Sequence, residues 1–77
     1  MLPGGDNMTV AEKIRLLLGR RSMTITGLAA AIGISRQYLT KKLKENDFNL
    51  KELEAIAAAL NCRFDSGFIM NDTQEKI

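Results

Sequence analysis

Two short apolar runs with helical spacing meet at Gly33-Ile34-Ser35, and this junction constrains the fold more than any other feature of the chain. In the first run Leu28, Ala29 and Ile32 recur at i, i+1 and i+4 behind Thr24, a residue type that caps helices, which predicts a helix over 25–32. Ala29, Ala30 and Ala31 have so little bulk that another helix can approach closely. Gly33 is the expected left-handed residue that ends this helix, because it has no β-carbon to clash there. Ile34 fills the corner and Ser35 caps a following helix of about 36–44, which buries Leu39 and Leu43 and turns Arg36, Gln37, Thr40, Lys41 and Lys44 outward.

The flanks read as helices too. Thr9-Val10-Ala11-Glu12 is a capping box, in which the threonine hydroxyl and the glutamate carboxylate each take a backbone N–H at the helix start. Val10, Ile14, Leu17 and Leu18 then form one apolar stripe, with Lys13, Arg15 and Arg20 off it. Residues 45–48 read as a polar loop whose Phe48 plugs the core. Asn49-Leu50-Lys51-Glu52 repeats the capping box, and Leu50, Leu53, Ile56, Ala57 and Leu60 mark a fourth helix ending at Asn61. Residues 1–8, with a proline, two glycines and no periodicity, read as a flexible leader; Met8 is an alternative natural start.

Beyond Asn61 the period changes from helical to alternating: Cys62, Phe64, Phe68 and Met70 share one face, which predicts a strand over 62–70. A lone strand leaves its amides unpaired. Antiparallel pairing of two such strands across a two-fold axis would satisfy them and make Phe64, Phe68 and Met70 dimerisation residues. A hairpin bent at Asp65-Ser66-Gly67, with very short arms, and a short fifth helix are the alternatives. The polar tail 71–77 is expected to fray.

Composition excludes several functions. Seventy-seven residues make one small domain, in which only about 60% of the unfolded surface is buried. With no histidine and one cysteine the chain lacks an imidazole base, a zinc cage and an intramolecular disulfide, and a single thiol suits a reducing cytoplasm. Cys62 is expected to be a small apolar residue at the strand start. Glu52 and Glu54, two apart on a helix, point away from each other, and Ser35 is better explained as a cap than as a nucleophile. No run approaches the ~20 apolar residues of a membrane helix. Neither catalysis, a cofactor, a metal nor a small-molecule substrate is expected.

The net charge of +2 conceals an asymmetry. Residues 10–45 carry Lys13, Arg15, Arg20, Arg21, Arg36, Lys41, Lys42 and Lys44 against Glu12 and Glu45, a local +6; residues 46–77 carry three cations against six carboxylates, a local −3. The basic block contains the helix-corner-helix unit. Its Leu28-Ala29, three residues, Gly33-Ile34-Ser35, then Leu39 four positions after the serine, resembles the helix-turn-helix family of the lambda repressor and Cro proteins over about residues 9–61.

The resemblance implies a mainly α, compact lambda-repressor-like DNA-binding domain of four to five helices, with residues 36–44 as the recognition helix. Carried over by position, Ser35 sits at a phosphate, and Arg36, Gln37, Thr40 and Lys41 face base edges. The family often has glutamine at the first position of the second helix, where this chain has Ile25, so that bracing contact lacks its usual residue.

Side-chain chemistry agrees with these roles. Gln37 matches adenine N6 and N7, Arg36 or Lys41 matches guanine O6 and N7, and the Thr40 methyl suits a thymine methyl. Lys42, Lys44, Arg20 and Arg21 suit phosphates, although a lysine run is ordinarily a solvated face and Arg20 and Arg21 equally complement a helix dipole. Tyr38 either packs on the second helix or sends its hydroxyl to a phosphate.

The expected function is a small transcriptional regulator, a repressor that occupies a pseudo-palindromic operator in double-stranded DNA as a homodimer. The competing expectation is an antitoxin or protein-interaction module on the same scaffold, with a toxin or antirepressor protein as partner.

Overall fold

The computed structural model describes residues 8–77; the expected leader, apart from Met8, lies outside the described residues. Four helices are followed by a hairpin: α1 Val10–Arg20, α2 Ile25–Ile32, α3 Arg36–Glu45, α4 Leu50–Ala59, β1 Cys62–Phe64 and β2 Phe68–Met70. Each helix starts at the side chain the sequence offers. Thr9 and Asn49 head complete capping boxes closed by Glu12 and Glu52, while Thr24 accepts the Gly27 N–H and Ser35 the Tyr38 N–H.

Left-handed residues stop the helices. Gly33 has φ 79°, and the amides of Gly33 and Ile34 return to the carbonyls of Ala30 and Ala29, which turns the chain sharply into α3. Ser22 and Asn46 play the same part after α1 and α3, at φ 54° and 52°. Asn46 also spends its side chain: Oδ1 accepts the Ala11 N–H at 2.9 Å, so the end of α3 caps the start of α1.

The core is a single apolar cluster. Ile14 and Leu17 of α1, Leu28 of α2, Leu39 of α3, and Ile56 and Leu60 at the end of α4 are fully buried, and no polar or charged side chain is buried among the described residues. Phe48 packs against this cluster from its loop, as expected. Leu50 departs from its predicted stripe and is 60% exposed.

The C-terminal segment corrects the single-strand expectation. Residues 62–70 fold back on themselves as an antiparallel hairpin, pairing Cys62 with Met70, Arg63 with Ile69 and Phe64 with Phe68. The turn is Asp65-Ser66-Gly67, with Ser66 left-handed and the Asp65 N–H bonded to the Gly67 carbonyl. Phe68 and Met70, expected at a dimer seam, lie inside the chain's own core; Phe64 is half-buried, edge-on to Phe68 at 5.1 Å between ring centres. The physical reason is local. A three-residue turn satisfies the strand amides within one chain, so they require no second copy.

The tail does not fray either. Phe68 and Ile77 exchange two backbone hydrogen bonds, and the Met70 N–H donates to the Glu75 carbonyl, so residues 75–77 run along β2. Gly67 permits this approach: a β-carbon there would stand 2.9 Å from Lys76 Cε and 3.1 Å from the Ile77 carbonyl oxygen.

Candidate nucleic-acid interface

The left-handed turn at Gly33 and the Ser35 cap place α3 across α2 with Leu39 and Leu43 inward. At 100° per residue, positions 36, 37, 40, 41 and 44 then fall within one arc of about 140° on α3, beside the stripe that Leu39 and Leu43 occupy. Arg36, Gln37, Thr40, Lys41 and Lys44 are all exposed, and none makes a side-chain hydrogen bond or ion pair among the described residues. Ser35, also exposed at the entry to this face, uses Oγ to accept the Tyr38 N–H at 3.0 Å. The helix therefore presents three cations, an amide and a hydroxyl with their hydrogen-bonding capacity unspent.

The other cations expected at phosphates are arranged differently. Lys42 turns inward from α3, its side chain only 17% exposed, and Nζ lies 3.3 Å from Glu52 Oε1. Tyr38, 45% exposed, reaches α4: its hydroxyl donates to Glu52 Oε2 at 3.3 Å, and Lys42 Nζ sits 5.6 Å from its ring centre. Glu52 is held below the usual carboxylate range, first by the Asn49 N–H and then by Lys42 and Tyr38. Lys42 is raised above the ordinary lysine value: burial works against its charge, and Glu52 outweighs the burial. Both α3 side chains are thus committed to α4.

Arg20 and Arg21 face the acidic tail. Arg20 pairs with Glu75, and Arg21 forms a two-pronged pair with Asp72 while also donating to the carbonyls of Leu60 and Asn61 at the end of α4. Two of the eight cations of the basic block are consequently neutralised within the chain, away from α3.

Sequence reasoning missed the double use of Glu52. Its capping-box role was legible in Asn49-Leu50-Lys51-Glu52, but only the crossing of α3 and α4 brings Tyr38 and Lys42 to the same carboxylate. Among the described residues no group of three His, Cys, Asp or Glu side chains is placed to hold a metal, and no helix is long and apolar enough to cross a membrane.

A family model described as the Cro/C1-type HTH DNA-binding domain matches residues 13–65, from the first turn of α1 to the tip of the hairpin. No curated protein and no solved structure matches the chain.

Proposed function

The chain belongs to the Cro/C1-type HTH DNA-binding domain family, and from that membership we propose that it is a sequence-specific transcriptional regulator, a repressor that occupies a pseudo-palindromic operator as a homodimer. The observation that carries this reading is the exposed face of α3, where Arg36, Gln37, Thr40, Lys41 and Lys44 lack partners among the described residues while Leu39 and Leu43 hold the helix in the core. Gln37 bonds an adenine edge, Arg36 and Lys41 address guanine, and the Thr40 methyl meets thymine. Ser35 and Lys44 lie at phosphates and set register.

Dimerisation follows from the size of the reader. Ten helical residues span about 15 Å, room for only a few base pairs, so one copy specifies too little sequence and a second copy one DNA turn away, about 34 Å, supplies the rest. Bound across a promoter, such a dimer blocks polymerase. The protein-interaction alternative gains no support from the terminal segment, because the apolar face it would offer is folded into the chain's own core.

Selection from random duplexes, followed by salt titration of the recovered site, tests the proposal. A palindromic motif and a fall of log K with log[salt] of roughly 0.9 per phosphate contact are expected. Recovery of no motif together with a flat salt response would overturn it.

A further inference from the structure

We propose that Glu52 is a positioning residue for DNA reading, a single carboxylate on α4 that fixes the orientation of the recognition helix through Tyr38 and Lys42. The inference rests on α3 being the DNA-reading helix. Its basis is how the helices are held: α3 packs on α2 and α4 packs on α2, but between α3 and α4 lies a hollow floored by Ile32, Leu39 and Ile56 and edged by Phe48. Apolar packing alone leaves that side of α3 incompletely supported.

Glu52 spans the gap. One carboxylate oxygen takes the Asn49 N–H at 3.0 Å and Lys42 Nζ at 3.3 Å; the other accepts from the Tyr38 hydroxyl at 3.3 Å. The carboxylate is anchored before it reaches α3, because the capping box fixes it to the start of α4. Tyr38 and Lys42 are one helical turn apart, and Lys42 also lies over the Tyr38 ring, so the contacts resist both rolling and sliding of α3. Thr40 and Lys41 lie between these two residues in the chain, and Gln37 immediately precedes Tyr38. A roll of α3 that separates Lys42 from Glu52 therefore moves the base-facing side chains by a comparable angle.

Glu52→Gln isolates this role, since glutamine still closes a capping box through its one carbonyl oxygen but loses the charge that pairs with Lys42 and the second oxygen that accepts from Tyr38. Glu12→Gln is the matched control: Glu12 closes the equivalent box on α1 and touches no α3 side chain. With the full chain, affinity is measured for the duplex recovered by random selection and for a scrambled duplex of equal length. Glu52→Gln is expected to lower the ratio of the two affinities about three- to tenfold, a normal coupling between touching side chains, without weakening the scrambled complex, because it removes a negative charge. Glu12→Gln is expected to leave the ratio unchanged, and equal ratios in the two variants would overturn the proposal. Amide hydrogen exchange on the free protein gives a readout independent of DNA. Faster exchange over residues 36–44 in Glu52→Gln alone supports the brace even if the wild type reads no sequence, a result that would reject the regulator reading; identical exchange in both variants rejects the brace.

Discussion

Arg21 grips Asp72 through two hydrogen bonds of 2.9 Å, Nη1 to Oδ2 and Nη2 to Oδ1, joining the end of α1 to the tail 51 residues later. The same guanidinium donates to the carbonyls of Leu60 and Asn61, so one side chain satisfies the end of α4 and anchors the segment that runs along β2. Arg21 stays charged throughout the working pH range, with its pKa raised chiefly by the Asp72 hydrogen bond, and Asp72 is held down to about 2, chiefly by that same bond.

This pair sets an acid response. A carboxylate whose folded value lies below its ordinary 3.8 stabilises the fold above about pH 4 and loses that contribution as pH falls toward 2. Melting followed by circular dichroism is expected to show a decline in Tm over that window in the wild type and a shallower one in Asp72→Asn, whose Tm at pH 7 is already lower. Because half of the Asp72 side chain is exposed, molar salt should narrow the difference. Parallel acid curves for the two proteins would show that the pair contributes nothing.

The opening helix-corner-helix segment was legible because short-range chemistry dictates it. Thr9, Thr24, Ser35 and Asn49 are small polar residues ahead of apolar periodicity, and Gly33 tolerates the left-handed turn, so the helix starts and the sharp corner needed no long-range information. The terminal segment was not legible to the same degree. Alternation at 62, 64, 68 and 70 describes which side chains share a face, and a hairpin preserves that as well as a continuous strand does. What decides between them is the burial of Phe68 and Met70 in the chain's common core and the Arg21 to Asp72 grip, neither of which local pattern contains. The roles of Tyr38 and Lys42 were hidden for a similar reason. An exposed lysine run looks the same whether or not a carboxylate stands across the gap.

Gly33 offers a test of the corner itself. A β-carbon there would meet nothing within 4 Å, so substitution costs are conformational rather than steric. Gly33→Ala is expected to lose about 1–2 kcal/mol in urea denaturation, the cost of a left-handed L-residue, and Gly33→Asn less, since asparagine enters that region more readily. An alanine variant as stable as the wild type would contradict the observed φ of 79°.

The packing of the hairpin predicts a larger effect. Phe68 is fully buried, whereas Phe64 is only half-buried at the edge of the core. Phe68→Ala should cost about 3–5 kcal/mol, a large fraction of the stability of so small a domain, and Phe64→Ala clearly less. If the two phenylalanines instead formed a seam between copies, both truncations would shift sedimentation toward monomer before they affected Tm. Equal Tm values for Phe68→Ala and wild type would remove the hairpin from the core.

The DNA-facing side chains separate by what each variant does to sequence dependence. Gln37→Ala is expected to cost about 1–3 kcal/mol on the selected duplex and to relax one base position, because a lost two-pronged base contact penalises only the matched sequence. Lys44→Ala should weaken matched and scrambled duplexes alike and reduce the salt slope by about one, because phosphates are present in every sequence. Lys42→Ala differs from its neighbour despite the same charge change. Its ammonium is already held by Glu52, so the salt slope should move less than for Lys44→Ala while discrimination between the duplexes falls. Fluorescence anisotropy titrations at three salt concentrations resolve the three patterns. A Lys42→Ala variant indistinguishable from Lys44→Ala in both slope and discrimination would place Lys42 at a phosphate, the role its charge suggested in the sequence.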